Sequence, residues 1–143
     1  MIRKIAIRNY RIFDEFDLSF SPGINVLVGS NDTGKSTVIE AINLALTGRL
    51  YGRALYLELS PYLINQRVTQ EYVNGLQSGG RPVPPIMTVD VFFDDDDGTE
   101  ILRGTNNVYG EDACGVRIQA KFSQDFSDEY NSFVDKPREA LNK

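Results

Sequence analysis

Gly29-Ser30-Asn31-Asp32-Thr33-Gly34-Lys35-Ser36, followed at once by Thr37, fits the pattern Gly, any four residues, Gly-Lys-Ser/Thr without a mismatch. The flanks suit it. Ile24-Asn25-Val26-Leu27-Val28 reads as a short buried strand leading in, and Val38 to Leu46 reads as a helix leading out, stopped by Gly48. Gly29 and Gly34 let the backbone curl so that several N–H groups point into one concavity, a nest for oxyanions. The helix beginning near Lys35 adds unpaired amides and the positive end of its dipole. In this pattern Lys35 reaches the β- and γ-phosphates as a mobile point charge. Ser36 places a hydroxyl on the Mg²⁺ that nucleoside triphosphates carry, and Thr37 holds the α-phosphate. The alternative, a glycine turn that happens to contain Lys-Ser, leaves the strand and helix on either side unexplained. The segment predicts a site for a nucleotide such as ATP, built from Gly29, Ser30, Asn31, Asp32, Thr33, Gly34, Lys35, Ser36 and Thr37.

The 143 residues are enough for one modest domain with its own core. Hydrophobic content of 41% and charged content of 24% are ordinary for a soluble globular chain. No apolar run approaches the ~20 residues that a membrane span needs. Met1 leads straight into a strand-like stretch, so no signal peptide is expected. The lone Cys114 excludes an internal disulfide and suits a reducing cytoplasm. With no His in the chain, His-based acid–base catalysis and His-ligated zinc are excluded within it. The net charge of −5 gives no global field that favours DNA.

Outward from the loop, residues 2–8 alternate as a first strand, and Asn9-Tyr10-Arg11 reads as a turn. Phe16 to Phe20 alternates as the antiparallel partner of that strand. The helix after the loop is apolar around most of its circumference and is expected to be largely covered. Residues 49–60 are ambiguous. Ser60-Pro61 then reads as a helix start, and Ile64, Val68, Tyr72 and Leu76 repeat every four residues up to Gly79-Gly80. Arg81 to Pro85 is an extended connector. Thr88 to Phe93 predicts a strand, Asp94 to Gly98 a turn, Thr99 to Arg103 the return strand, and Gly104 to Gly115 a loop. Val116 to Phe122 predicts another strand and Ser127 to Val134 a short helix. There are no internal repeats and no domain boundary, so 1–143 is expected to be one domain: 1–50 with the loop and first helix, 51–85 helical, and 86–143 a β lobe with a short helix.

Three further matches are weaker. Leu76-Gln77-Ser78-Gly79-Gly80 looks like the Leu-Ser-Gly-Gly signature of transporter-type ATPases, but that signature must open a helix and this stretch closes one. Val89 to Asp94 looks like a Walker B strand, yet its alternation suits a sheet with one wet face and a solvated acidic turn. Asp95-Asp96-Asp97-Gly98 matches the Asp-x-x-Gly of GTPases, without the guanine-reading Asn-Lys-x-Asp.

Ile5 to Phe13, the Pro22 to Gly29 approach and Glu40-Ala41-Ile42 together resemble the N-terminal half of ABC-type ATPase heads of RecF, the structural-maintenance-of-chromosomes (SMC) proteins and OLD-family ATP-dependent endonucleases. The fold this implies is an α/β P-loop NTPase, the N-terminal half of an ABC-type head, with a small antiparallel β lobe at 86–122. In such heads the Arg of an Asn-aromatic-Arg turn leans on the nucleotide's phosphates. The resemblance therefore implies that role for Arg11, which by spacing alone is equally a solvated turn residue. Asp32 replaces the middle glycine usual in RecF-like and SMC heads. Asn-Asp-x-Gly-Lys looks most like the OLD family, and so do Pro84-Pro85, Gly104 to Asn107 and Gly115 to Ile118. An OLD-family endonuclease segment for DNA repair or phage defence is the first expectation, a RecF/SMC-like DNA-organising ATPase without nuclease activity the second, and a small-molecule P-loop kinase the third.

The resemblance also implies ATP and Mg²⁺ as ligands and DNA contact through parts outside this chain. Heads would pair as a homodimer in a complete, cytoplasmic protein. Such heads take their signature helix, Walker B Asp-Glu and switch histidine from sequence further on, and the polar Pro137 to Lys143 closes nothing. No complete catalytic set is expected in this chain, which alone would bind ATP with little or no hydrolysis.

Overall fold

β1 (Ile2–Tyr10) and β2 (Phe13–Ser19) pair antiparallel, with Ile5 opposite Leu18 and Ile7 opposite Phe16. This is the pairing expected from their alternation. A computed structural model describes residues 1–135 and shows what borders the other side of β1. There, β5 (Met87–Phe93) runs antiparallel to β1, β7 (Ala113–Ala120) runs antiparallel to β5, and the short β6 (Arg103–Gly104) closes the edge. The result is one five-stranded sheet in the order β2-β1-β5-β7-β6. The antiparallel lobe expected at 86–122 is present and continues without a break through β1 and β2. The terminal stretch Pro137 to Lys143 lies outside the described residues.

Register explains which face is buried. Leu18, Ile5, Val91 and Val116 lie side by side across four strands, and Phe16, Ile7, Val89 and Ile118 form the next row. Aliphatic and aromatic neighbours on one pleated face are the unit of sheet stabilisation. On this face sits α1 (Lys35–Thr47), which buries Val38, Ala41 and Leu44 against Ile5, Ile7, Met87, Val89 and Val91. These three residues share one face of a 3.6-residue period, and removing each from water stabilises by about 25 cal/mol per Å² of apolar area. That stripe alone is fully buried. Ile42 and Ala45 are partly buried beside it while Ile39 and Leu46 are exposed, so the helix is less covered than expected among the described residues. Gly48 ends α1 in the left-handed conformation, its N–H donating to Leu44 O at 2.8 Å.

The opposite face was expected to be wet and is not. Thr88, Asp90 and Phe92 are all buried, and Asp90 is only 2% exposed. The segment between β6 and β7 folds over them: Tyr109 packs on Phe92 at 5.6 Å between ring centroids, and Val108 N–H donates to Asp90 Oδ2 at 2.8 Å. Arg117, opposite Asp90 on β7, donates from Nε and Nη2 to the two carboxylate oxygens at 2.7 and 2.8 Å. Its hydrogen bond to Asp90 holds the guanidinium pKa above the ordinary arginine range. Asp90 is thus a structural ion-pair residue in an antiparallel strand, and the Walker B resemblance of this strand ends there.

Other boundaries shift for identifiable reasons. Pro61–Leu63 forms a separate 3₁₀ turn, and α3 (Gln66–Gln77) starts after Asn65, whose Oδ1 accepts from the N–H groups of Arg67 and Val68. A side-chain acceptor at the cap outweighs proline at a first helical position. α3 closes where expected, with Gly79 left-handed and Gly80 N–H donating to Gly75 O at 3.0 Å, so Leu76 to Gly80 is a helix end and not a signature helix. Thr99 to Arg103 makes no return strand beside β5. Glu100–Leu102 is a 3₁₀ turn, and β6 pairs with β7, because β5 already has β1 and β7 on its two edges. Between α1 and α3, residues 49–60 form the small hairpin β3 (Arg49–Leu50) and β4 (Arg53–Ala54), followed by the single turn α2 (Leu55–Glu58). α4 spans Ser127–Val134, as its sequence predicts. Among the described residues no helix is long and apolar enough to cross a membrane.

Candidate phosphate-binding site

The site is built where the chain enters α1. Gly34 caps the helix in the left-handed conformation, φ +88°, which glycine adopts at little cost. The first main-chain bond of the helix runs from Val38 N–H to Gly34 O at 2.9 Å. The N–H groups of Lys35, Ser36 and Thr37 therefore have no main-chain acceptor among the described residues, as geometry dictates for a helix start. No side chain caps this end and no acidic residue lies in the first turn. The positive end of the dipole is left unneutralised, which is what an anion site requires.

Lys35 folds back over the loop. Its Nζ donates to Gly29 O and, at 2.7 Å, to Ser30 O. The ammonium is thus held at the start of the loop by two carbonyls that an incoming phosphate would replace. Thr33 braces the loop from inside, its N–H and hydroxyl both donating to Ser30 O, at 3.3 and 2.8 Å. Gly29 is required for this bracing, because a Cβ there would lie 2.5 Å from Thr33 Oγ1. Asn31, Asp32, Thr33 and Ser36 are exposed around the rim, and Thr37 is half-buried.

Gly34 fixes the loop against the sheet. A Cβ on it would come within 2.6 Å of both Ile12 Cδ1 and Phe13 Cζ. Gly34→Ala combines that clash with a handedness penalty of about 1–2 kcal/mol. It is expected to abolish nucleotide binding while lowering the unfolding midpoint, read by titration and thermal unfolding of the same sample.

Ile24 to Val28, expected as a buried strand, has no regular secondary structure. Ile24, Val26 and Val28 are 92, 77 and 88% exposed, while the alternate Leu27 packs against the core. A strand needs a neighbour for its main-chain groups, and none of the strands of the described sheet borders this segment. The sequence alternation is present; its partner strands are not among the described residues.

Arg11 lines a cleft with Thr37, and its guanidinium is engaged by Glu40 and Tyr51. Its backbone is left-handed, φ +49°, and clamped on both sides: its N–H donates to Leu63 O at 2.8 Å, and its carbonyl accepts from Asn65 Nδ2 at 2.9 Å. Its guanidinium pairs with Glu40 of α1, Nε to Oε1 at 2.5 Å and Nη2 to Oε2 at 3.2 Å. Nη2 also donates to the hydroxyl of Tyr51, at 2.6 Å. The buried Tyr10 hydroxyl donates to the same Glu40 oxygen. Burial, and then that bond, push the Tyr10 pKa well above the ordinary phenol range, so it stays a donor. Burial works against the Arg11 charge, and its bonds with Tyr10 and Glu40 outweigh it and raise its pKa. Sequence reasoning missed Glu40, Tyr51 and Asn65. For Glu40 the signal was its position four residues after Ser36, which puts both on one face of α1. Between Arg11, Thr37, Tyr62 and Asn65 lies an open cleft of about 570 Å³ that continues from the helix start.

A family model described as an AAA domain matches residues 4–140. The chain belongs to that family. The AAA domain described above is thus an α/β P-loop fold of the ABC-type ATPase head, with its antiparallel sheet. Among its relatives, the DNA replication and repair protein RecF of Edwardsiella ictaluri (strain 93-146) is 35% identical over 72 residues, 47% of this chain and 20% of RecF. The DNA double-strand break repair Rad50 ATPase of Methanopyrus kandleri (strain AV19) is 49% identical over 51 residues, 36% of this chain and 6% of Rad50. A solved structure from work on ATP-driven dimerization and DNA-stimulated activation of SMC ATPases superposes with a TM-score of 0.47 at 21% identity, over 82% of this chain and 60% of that one. The AAA domain chain spans a fifth or less of the length of these curated relatives. Their names are those of DNA-repair proteins, one of them an ATPase, and the OLD-family endonuclease expectation draws no support from them.

Proposed function

We propose that this AAA domain is the nucleotide-binding segment of a RecF/Rad50-type ATPase that acts on DNA, with Mg-ATP held on Gly29 to Thr37. The observation that carries the reading is the start of α1: three N–H groups without main-chain acceptors, under a lysine ammonium parked on the carbonyls of Gly29 and Ser30. The donor set fits a polyphosphate, because it offers main-chain amides and one cation with no carboxylate in the helix's first turn. Lys35 would exchange its two carbonyls for phosphate oxygens, the amides of Gly34 to Thr37 would receive the phosphate chain, and the Ser36 hydroxyl would hold the metal. Mg²⁺, when bound, neutralises charge on the phosphates. Arg11 would add a further phosphate contact from the cleft that it lines with Thr37.

Hydrolysis requires a general base and a second head's signature helix, which we assign to other parts of the protein. The exposed Ile24, Val26 and Val28 fit this reading, since a phosphate-loop strand takes its neighbours from a sheet that those parts would supply. DNA contact and pairing of heads are assigned there too, because the net charge of this chain is −5. A second reading, the OLD-family nuclease, keeps one observation in its favour, the Asn31-Asp32-Thr33-Gly34-Lys35 form of the loop. Plasmid incubation with the full-length gene product, Mg²⁺ and ATP separates them. The proposal expects ATP-dependent dimerisation by light scattering and intact supercoiled plasmid. ATP-dependent nicking would establish the second reading instead.

A further inference from the structure

Three elements converge on the guanidinium of Arg11. The end of β1 supplies Tyr10, α1 supplies Glu40, and the turn between β3 and β4 supplies Tyr51. That turn has positive φ at both Tyr51 (+51°) and Gly52 (+77°), the form that lets a two-residue hairpin close. The rings of Tyr10 and Tyr51 lie 5.6 and 6.0 Å from Arg11 Cζ. Glu40 and Tyr51 occupy Nε and Nη2 and leave Nη1 without a partner among the described residues. Glu40 stands one helical turn beyond Ser36 and Thr37, and Arg11 and Thr37 line the same cleft.

We propose that Glu40, with Tyr51, is a positioning residue: it grips one edge of the Arg11 guanidinium so that the other edge, Nη1, is presented to the phosphates of a nucleotide seated on α1. This deepens the reading of the site above and rests on it. A carboxylate four residues beyond the phosphate-binding hydroxyl would otherwise only repel the ligand. Bound to Arg11 it has its charge offset, and it occupies one edge of a planar, two-edged guanidinium that lysine could not replace. A guanidinium already ordered loses less freedom when the nucleotide binds.

The test is ATP titration by calorimetry of the wild type, E40Q, R11A, the double variant and K35A, with thermal unfolding of each. E40Q is expected to weaken ATP binding about twofold to tenfold, because an unanchored Arg11 side chain must then be ordered when the nucleotide binds. R11A is expected to weaken it at least as much, and E40Q in the R11A background to add nothing. That coupling is a readout that a merely structural Glu40 would not give, since loss of packing would lower affinity and midpoint in both backgrounds. Y51F is expected to act as a smaller version of E40Q. Tighter binding by E40Q would make Glu40 a competitor for Arg11 and overturn the proposal, and so would an R11A variant with wild-type affinity. Failure of the site itself is distinguishable, because K35A would then bind as the wild type does.

Discussion

Lys35→Ala is expected to lower ATP affinity by at least about 100-fold while leaving the unfolding midpoint almost unchanged. Hydrogen bonds to charged groups are worth about 1.5–3 kcal/mol each, and Lys35 has two to transfer from carbonyls to phosphates. Losing both corresponds to roughly 3–6 kcal/mol, or a factor of about 10²–10⁴ in binding. Stability hardly changes because the bonds lost in the nucleotide-free state lie on exposed backbone, where water replaces them. Calorimetric titration beside thermal unfolding separates the two effects. Equal loss in both would mean that Lys35 holds the loop together and does not bind phosphate.

The second large effect lies on the far side of the sheet. Asp90→Ala is expected to destabilise the domain by about 3–5 kcal/mol, because it strands Arg117 and the Val108 N–H beside a buried strand. Arg117→Ala leaves the carboxylate stranded and acts similarly. The double variant is expected to cost clearly less than the sum, since neither charge is then left alone. Urea unfolding followed by tyrosine fluorescence and circular dichroism measures all three. A loss below about 1 kcal/mol for Asp90→Ala would mean that water reaches the pair and that the covering segment 105–109 opens in solution.

This pair also marks what could be read in the sequence and what could not. The phosphate loop, α1 and the strand at Met87–Phe93 were legible because each rests on local chemistry: glycine conformations, a helical stripe, an alternating run. The pairing of β2 with β1 was legible for the same reason. Asp90 was misjudged because alternation shows that one face is polar, and only the tertiary placement of Tyr109 and Val108 shows that the polar face is covered. Neither β1 beside β5 nor the two-residue β6 beside β7 has a local signal, since both pairings join segments far apart or too short to show a period. Around the candidate site, the left-handed Gly34 and the helix start at Lys35 were legible, whereas the Glu40–Arg11–Tyr51 cluster joins three separate elements and only the position of Glu40 on α1 hinted at it.

The central claim is that main-chain amides at the start of α1, under the Lys35 ammonium, form the anion site of this AAA domain. Amide spectra of the ¹⁵N-labelled 16.1 kDa protein during titration with Mg-ATP test it directly. Saturable shifts are expected that are largest at Gly34, Lys35, Ser36 and Thr37, with smaller ones at Gly29 and Ser30. Saturable shifts centred elsewhere, or none at millimolar nucleotide, would contradict it.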